Sequence, residues 1–144
     1  MKFRYDVHGD DFSLAGRASS DIKRVLQRLS LPADVVKRVA VAMYEAEINM
    51  VIHAGGGVAE VDVGPEAVVI VMTDSGPGIP DIALAMTEGY STASERVREL
   101  GFGAGMGLPN MKRNSDEIDI RSVVGKGTTV TMTIRVDAAG EGAR

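Results

Sequence analysis

The chain of 144 residues has no cysteine and no tryptophan, and only 4% of it is aromatic. Without cysteine there is no disulfide framework, no thiolate zinc site and no cysteine nucleophile. Histidine is nearly missing too: His8 and His53 stand alone, so a histidine-based metal cluster is not expected. No block of five like charges occurs, and 16 Lys plus Arg against 20 Asp plus Glu leave a net charge of -4 and a pI of about 5.2. That balance argues against nucleic acid or an anionic membrane surface as the main partner. Long apolar runs are absent as well. The longest, Val39 to Tyr44 and Ala67 to Met72, fall far short of the ~20 residues of a spanning helix, and the opening MKFRYDVHGDDF contains no signal-like apolar stretch. A soluble, cytoplasmic protein is expected.

Glycine, by contrast, is in excess, with 17 among 144 residues against a usual ~7%. The excess is clustered at Gly76 and Gly78, at Gly101, Gly103, Gly105 and Gly107, and at Gly125 and Gly127. Clustered glycines mark tight turns or close approach of the backbone to a ligand, not a flexible linker.

The apolar periodicity gives an order of elements. Phe3, Tyr5 and Val7 alternate with charges as in a half-buried strand. Ile22, Val25, Leu26 and Leu29 form a helical stripe after Ser19 or Ser20 as N-cap. A second helix runs from Pro32 to about Ala54, with Val36, Val39, Met43, Ala46 and Met50 on one side and Gly55-Gly56-Gly57 ending it. Val61 and Val63 open a hairpin whose second strand, Ala67 to Thr73, is apolar throughout and reads as buried on both faces. A short helix from Asp81 to Glu88, an aperiodic loop to Gly105 and a helix from Met106 to Asn114 follow. Two last strands alternate at Ile118 and Ile120 and from Val130 to Val136, joined by a turn at Val124-Gly125-Lys126-Gly127. One domain over 1–137 is expected, then a disordered tail, 138–144. Adjacent strands in this order argue for a two-layer α/β sandwich, with a mixed, mainly antiparallel sheet covered by helices on one face.

Two nucleotide motifs are missing: there is no GxxxxGK[ST], and Gly101 to Gly107 is not a GxGxxG following a strand. Three other pieces carry chemistry. Glycines just before a helix offer free backbone N–H groups to phosphate oxygens, although a helix cap under a flexible lid has the same composition. Glu45, Asn49 and His53 recur every fourth residue and form a polar row on an apolar helix, which solvent exposure or pairing with Arg38 would also explain. Asp74, at the end of the most apolar strand, can accept a hydrogen bond from an exocyclic amine such as that of adenine, or can serve an ordinary Asp-Gly turn.

Taken together, ExxxN at Glu45 and Asn49, DxGxG at Asp74 to Gly78, GxGxG at Gly103 to Gly107 and GxGT at Gly125 to Thr128 resemble the N, G1, G2 and closing boxes of the GHKL ATPase superfamily. Within it, EAEINMVIHA, DSGPGIPD and GMGLPNMKRNSDEIDIRSVVGKGTTV resemble the anti-sigma-factor and switch serine/threonine kinases of bacterial partner-switching systems. Ala85 to Thr92 and Lys112-Arg113 lean toward the stressosome switch-kinase branch. The resemblance implies the Bergerat sandwich, ATP and Mg2+ as cofactors, and transfer to a STAS-domain antagonist. A sigma factor or a phosphatase are further implied partners, and homodimerisation stays open. Asn49 is implied as the Mg2+ ligand, Glu45 as the general base, and Asp74, supported by Thr128, as the adenine reader. Gly76 and Gly78 would floor the base pocket, while Gly103, Gly105, Met106 and Gly107 would wrap the phosphates beneath a lid from Gly89 to Ala104. Lys112 or Arg113 would neutralise developing charge, and His53 matches a family position that equally suits a structural helix end. Pro109 is compatible with this only in the first turn of its helix. The competing reading is a nucleotide-gated module that holds a sigma factor or a phosphatase with little kinase activity.

Overall fold

The computed structural model describes residues 1–9, 12–86 and 107–136. The elements are β1 (Lys2–His8), a 3-10 turn (Phe12–Leu14), α1 (Arg17–Arg28), α2 (Ala33–Ala54), β2 (Gly56–Val63) and β3 (Ala67–Asp74). After them come α3 (Ile82–Ala85), α4 (Gly107–Arg113), β4 (Glu117–Val123) and β5 (Gly127–Arg135). The strands form one sheet in the order β1-β2-β3-β5-β4. All four pairings are antiparallel, so the expected mixed character is not seen among the described strands.

Helices cover one face of this sheet. From the strands Ala59, Val61, Val68, Ile70, Met72, Val130, Met132 and Ile134 point into the core, and α2 lies over them with Val36, Val39, Met43, Ala46 and Met50. Ile22 and Leu26 of α1 close the far side of α2. Ile22, Leu26, Met43, Ile70, Met132 and Ile134 are among the fully buried side chains, each contributing about 1.5–3 kcal/mol of hydrophobic stabilisation.

β3 departs from its expected burial on both faces. Val68, Ile70 and Met72 are buried, but Ala67, Val69 and Val71 are only half-buried and Thr73 is exposed. The continuous apolar run therefore reflects β-propensity on an open sheet face, where Val69 and Val71 pair with Thr133 and Thr131 of β5.

The helix ends also differ in detail. α1 begins at Arg17, ahead of the expected serine caps, because the chain turns at Gly16 with φ of 93°. Ser19 lies inside the first turn, and its hydroxyl donates to the Gly16 carbonyl at 3.1 Å. α2 runs from Ala33 to Ala54 behind Pro32 and stops at Gly55, whose φ of 72° is the left-handed conformation that favours glycine. Gly56 and Gly57 already belong to β2. The short helix spans only Ile82 to Ala85, with the Asp81 carboxylate accepting from the Leu84 N–H at 3.0 Å as its N-cap. Pro109 is the third residue of α4, inside its first turn, where its missing N–H costs no intrahelical bond. Among the described residues no helix is long and apolar enough to cross a membrane.

Candidate functional site

The site forms where the C-terminal half of α2 meets α4 and the ends of β3 and β5. Glu45 and Asn49 lie one turn apart on α2 and, though half-buried, are not solvated bystanders. The Glu45 carboxylate accepts a hydrogen bond from the Asn110 side-chain amide of α4 at 3.0 Å. Asn110 in turn accepts at its Oδ1 from the Arg113 guanidinium at 2.8 Å. The alternative pairing of Glu45 with Arg38 does not form: Arg38 bridges to Asp116 at 3.1 Å and donates to the Asn114 carbonyl at 3.2 Å.

Gly107, which opens α4, packs directly on Asn49. A Cβ at position 107 would stand 3.0 Å from both the oxygen and the nitrogen of the Asn49 amide. The glycine thus brings the helix backbone against the amide without an intervening side chain.

The second half of the site is built on Asp74. Its Oδ1 accepts from the N–H of Gly76 at 3.0 Å and from the N–H of Thr128 at 3.2 Å. Asp74 and Thr128 face each other across the β3–β5 pairing. Both bonds fall on Oδ1, so among the described residues Oδ2 has no protein donor. Thr128 is buried, and its hydroxyl shares a 2.8 Å hydrogen bond with the Ser122 hydroxyl.

The loop after Asp74 is clamped from both sides. A Cβ at Gly76 would lie 2.6 Å from the Ala54 Cβ, so the loop rests on the last residue of α2. Gly78 has φ of 81°, and a Cβ there would fall 2.7 Å from the Val123 carbonyl of β4. The Pro77 carbonyl accepts from Gly125 N–H at 2.8 Å, and Ile79 N–H donates to the Ser122 hydroxyl at 2.7 Å. Contact of Gly76 with Ala54 joins the two halves, because the helix that carries Glu45 and Asn49 ends on the Asp74 loop.

His53, the third member of the polar row, sits in the last turn of α2. Burial, which disfavours the charged ring, lowers its pKa below the ordinary histidine value.

Most of the expected site residues therefore converge. Glu45, Asn49 and Gly107 form one group, and Asp74, Gly76, Gly78 and Thr128 form the other. Lys112 and Arg113 are both exposed, and Arg113 is engaged with Asn110. Gly103, Gly105, Met106, the lid from Gly89 to Ala104 and the tail lie outside the described residues. Sequence reasoning missed Asn110, which no motif marks. It also missed Ser122, although a hydroxyl in the inward series Ile118, Ile120, Ser122 was a readable signal.

Residues 11–134 match the family model described as the histidine kinase-like ATPase domain. The serine/threonine-protein kinase RsbT of Bacillus subtilis is 37% identical over 97 residues, covering 65% of this chain and 67% of the relative. An anti-sigma F factor of Pasteuria penetrans is 35% identical over 102 residues, covering 66% of this chain and 65% of its own. The crystal structure of the RsbU and RsbW domains of Rv1364c from Mycobacterium tuberculosis superposes with a TM-score of 0.63 at 15% identity, over 94% of this chain and 32% of that one, and shares the fold. The chain belongs to the histidine kinase-like ATPase domain family, in the branch that holds RsbT and the anti-sigma F factors.

Proposed function

We propose that the chain is an ATP-dependent serine/threonine protein kinase whose acceptor is a STAS-domain antagonist in a partner-switching pathway. The observation that carries this reading is the pair Glu45 and Asn49, one turn apart on α2, facing α4, with the Asp74–Thr128 clamp at the end of the same helix. It supplies a carboxylate, a neutral oxygen ligand and a purine-edge acceptor in one cleft wall. RsbT, by its name, is a serine/threonine-protein kinase. A cytoplasmic location belongs to the same reading.

In this mechanism Asp74 Oδ2 accepts a hydrogen bond from the adenine exocyclic amine, while Gly76 and Gly78 give the ring a floor without side chains. Gly107 offers its backbone N–H to the phosphates, and the phosphate-wrapping role expected of Gly103, Gly105 and Met106, outside the described residues, belongs to the same proposal. The Asn49 amide oxygen suits Mg2+. Among the described residues no cluster of three metal-ligating acidic, histidine or cysteine side chains forms, so such an ion would complete its shell with phosphate oxygens and water. Bound Mg2+ supplies charge neutralisation across the phosphates. Glu45 takes the proton from the acceptor hydroxyl as that oxygen bonds to the γ-phosphorus and the bond to the ADP oxygen breaks. Phosphoryl transfer needs little beyond positioning and charge stabilisation, so this sparse set of groups suffices. Lys112, exposed on α4, is a cation that can meet developing charge.

The test is transfer of label from γ-labelled ATP with Mg2+ to a purified STAS-domain protein, run beside Glu45→Gln. Label on serine or threonine that disappears in the variant while ATP binding persists supports the kinase. Tight ATP binding without transfer in the unmodified chain favours a nucleotide-gated module that holds a sigma factor or a phosphatase.

A further inference from the structure

We infer that Asn110 is a positioning residue for Glu45, held in its working orientation by Arg113. The inference rests on the kinase reading, in which Glu45 is the base, and names how that base is aimed.

A side-chain amide can be turned over at little cost, and its two ends have opposite hydrogen-bonding character. At Asn110 both ends are committed. The guanidinium of Arg113 can only donate, so the 2.8 Å contact requires Oδ1 to face Arg113. Nδ2 must then face Glu45, whose Oε2 accepts at 3.0 Å. Arg113 lies three residues after Asn110, on the adjoining turn of the same short helix. The order Arg113, Asn110, Glu45 is therefore a one-way relay from a permanent cation to a carboxylate.

The relay has two consequences for a general base. It fixes one carboxylate oxygen and so selects the rotamer, leaving Oε1 without a protein donor among the described residues and open to the acceptor hydroxyl. It also ties the base to α4, the helix that Gly107 opens against Asn49. Displacing α4 would misdirect the base and the phosphate-facing backbone together. Arg113, expected from the sequence to neutralise charge at the phosphates, is assigned here to act through Asn110.

Asn110→Asp is the discriminating variant. It keeps the size and the acceptor toward Arg113 but replaces the donor toward Glu45 by a second oxygen. The expected result is a fall in kcat of about 10-fold or more, with the KM for ATP within about 2-fold and a cooperative thermal transition retained. A purely structural asparagine predicts unchanged kcat in this variant, and that outcome overturns the proposal, as does a loss carried by KM. A second measurement does not depend on turnover. In the full chain without nucleotide, the Asn110 side-chain amide resonances should shift in Glu45→Gln, and their two protons should converge in Arg113→Ala. Resonances unmoved by either change sink the relay whatever the kinetics show. Absence of transfer by the unmodified chain removes the kinase reading, and full transfer by Glu45→Gln removes Glu45 as its base; either result takes the positioning role with it, while the amide measurement still reports the contact itself.

Discussion

Glu47 caps a helix to which it does not belong: from the middle of α2 its carboxylate accepts the backbone N–H of Ser19 in the first turn of α1 at 3.0 Å. The same carboxylate takes the N–H groups of Gly16 at 3.0 Å and Ala18 at 3.2 Å, and its side chain is 2% exposed. A helix N-terminus offers unpaired donors and partial positive charge, which together balance the cost of burying the anion. This explains why α1 needs no capping side chain of its own, and how α1 is locked to the helix that carries Glu45 and Asn49.

Glu47→Leu should therefore destabilise the fold by about 3 kcal/mol or more, since it leaves three buried N–H groups without acceptors. Glu47→Gln keeps one acceptor oxygen and should lose less. Urea midpoints of the two variants check this order; a leucine variant as stable as the parent would show that the cap contributes nothing.

Asp74→Asn should separate folding from nucleotide recognition. Asparagine retains an oxygen for the N–H groups of Gly76 and Thr128, so the β3–β5 junction survives. The second oxygen becomes an NH2 that confronts the adenine amine donor to donor. ATP affinity should fall about 10-fold or more with little change in thermal midpoint, measured by calorimetric titration. Undiminished affinity would remove Asp74 from base recognition.

How much of this was legible in the sequence depended on whether a signal was local. The stripe Val36, Val39, Met43, Ala46, Met50 forecast α2 and its buried face because helical periodicity is a local property. The spacing of Glu45 and Asn49, and of Asp74, Gly76 and Gly78, forecast which residues share a wall. Glu47 was passed over although it interrupts the apolar series Met43, Glu47, Val51, where a lone charge implies a buried partner. Its partner, the backbone of residues 16–19, carries no side-chain signature. Asn110 was invisible for a similar reason: nothing in GLPNMKR says which residue of α4 faces α2. The open face of β3 was misjudged because Val69 and Val71 satisfy strand propensity without being covered.

Gly127→Ala should damage the site through backbone geometry alone. Gly127 has φ of 139°, and a Cβ at that position would overlap the Asp74 carbonyl oxygen. Alanine must push β5 away from β3 at the residue beside Thr128, at a cost of about 3 kcal/mol. Gly125 provides the control: its φ is 81° but a Cβ would meet nothing within 4 Å, so alanine there carries only the strain of the left-handed conformation. Denaturation midpoints should rank parent, Gly125→Ala, Gly127→Ala in falling order, and equal losses at the two glycines would refute the close-approach argument.

Acid should weaken the fold in two windows, each traceable to a named group. Burial lowers the pKa of His53 in the folded chain, so below the ordinary histidine value of 6.5 the unfolded chain takes up this proton first and stability falls as pH falls. Asp116 acts lower on the scale. Burial raises its pKa, but hydrogen bonds from the Arg135 N–H at 2.7 Å and from Arg38, together with the charges of both arginines, outweigh it and hold the carboxyl below its ordinary value of 3.8. That contribution is present above the unfolded value and disappears as pH drops through the lower folded one. Between about pH 7.5 and about pH 5 the parent should lose stability while Asp116 stays ionised, so the loss in this interval tracks His53. His53→Gln should flatten the interval and leave the more acidic limb unchanged, and Asp116→Asn should do the reverse. Urea midpoints across both intervals test the assignment, and a His53→Gln variant with the parent's slope above pH 5 would rule His53 out as its source.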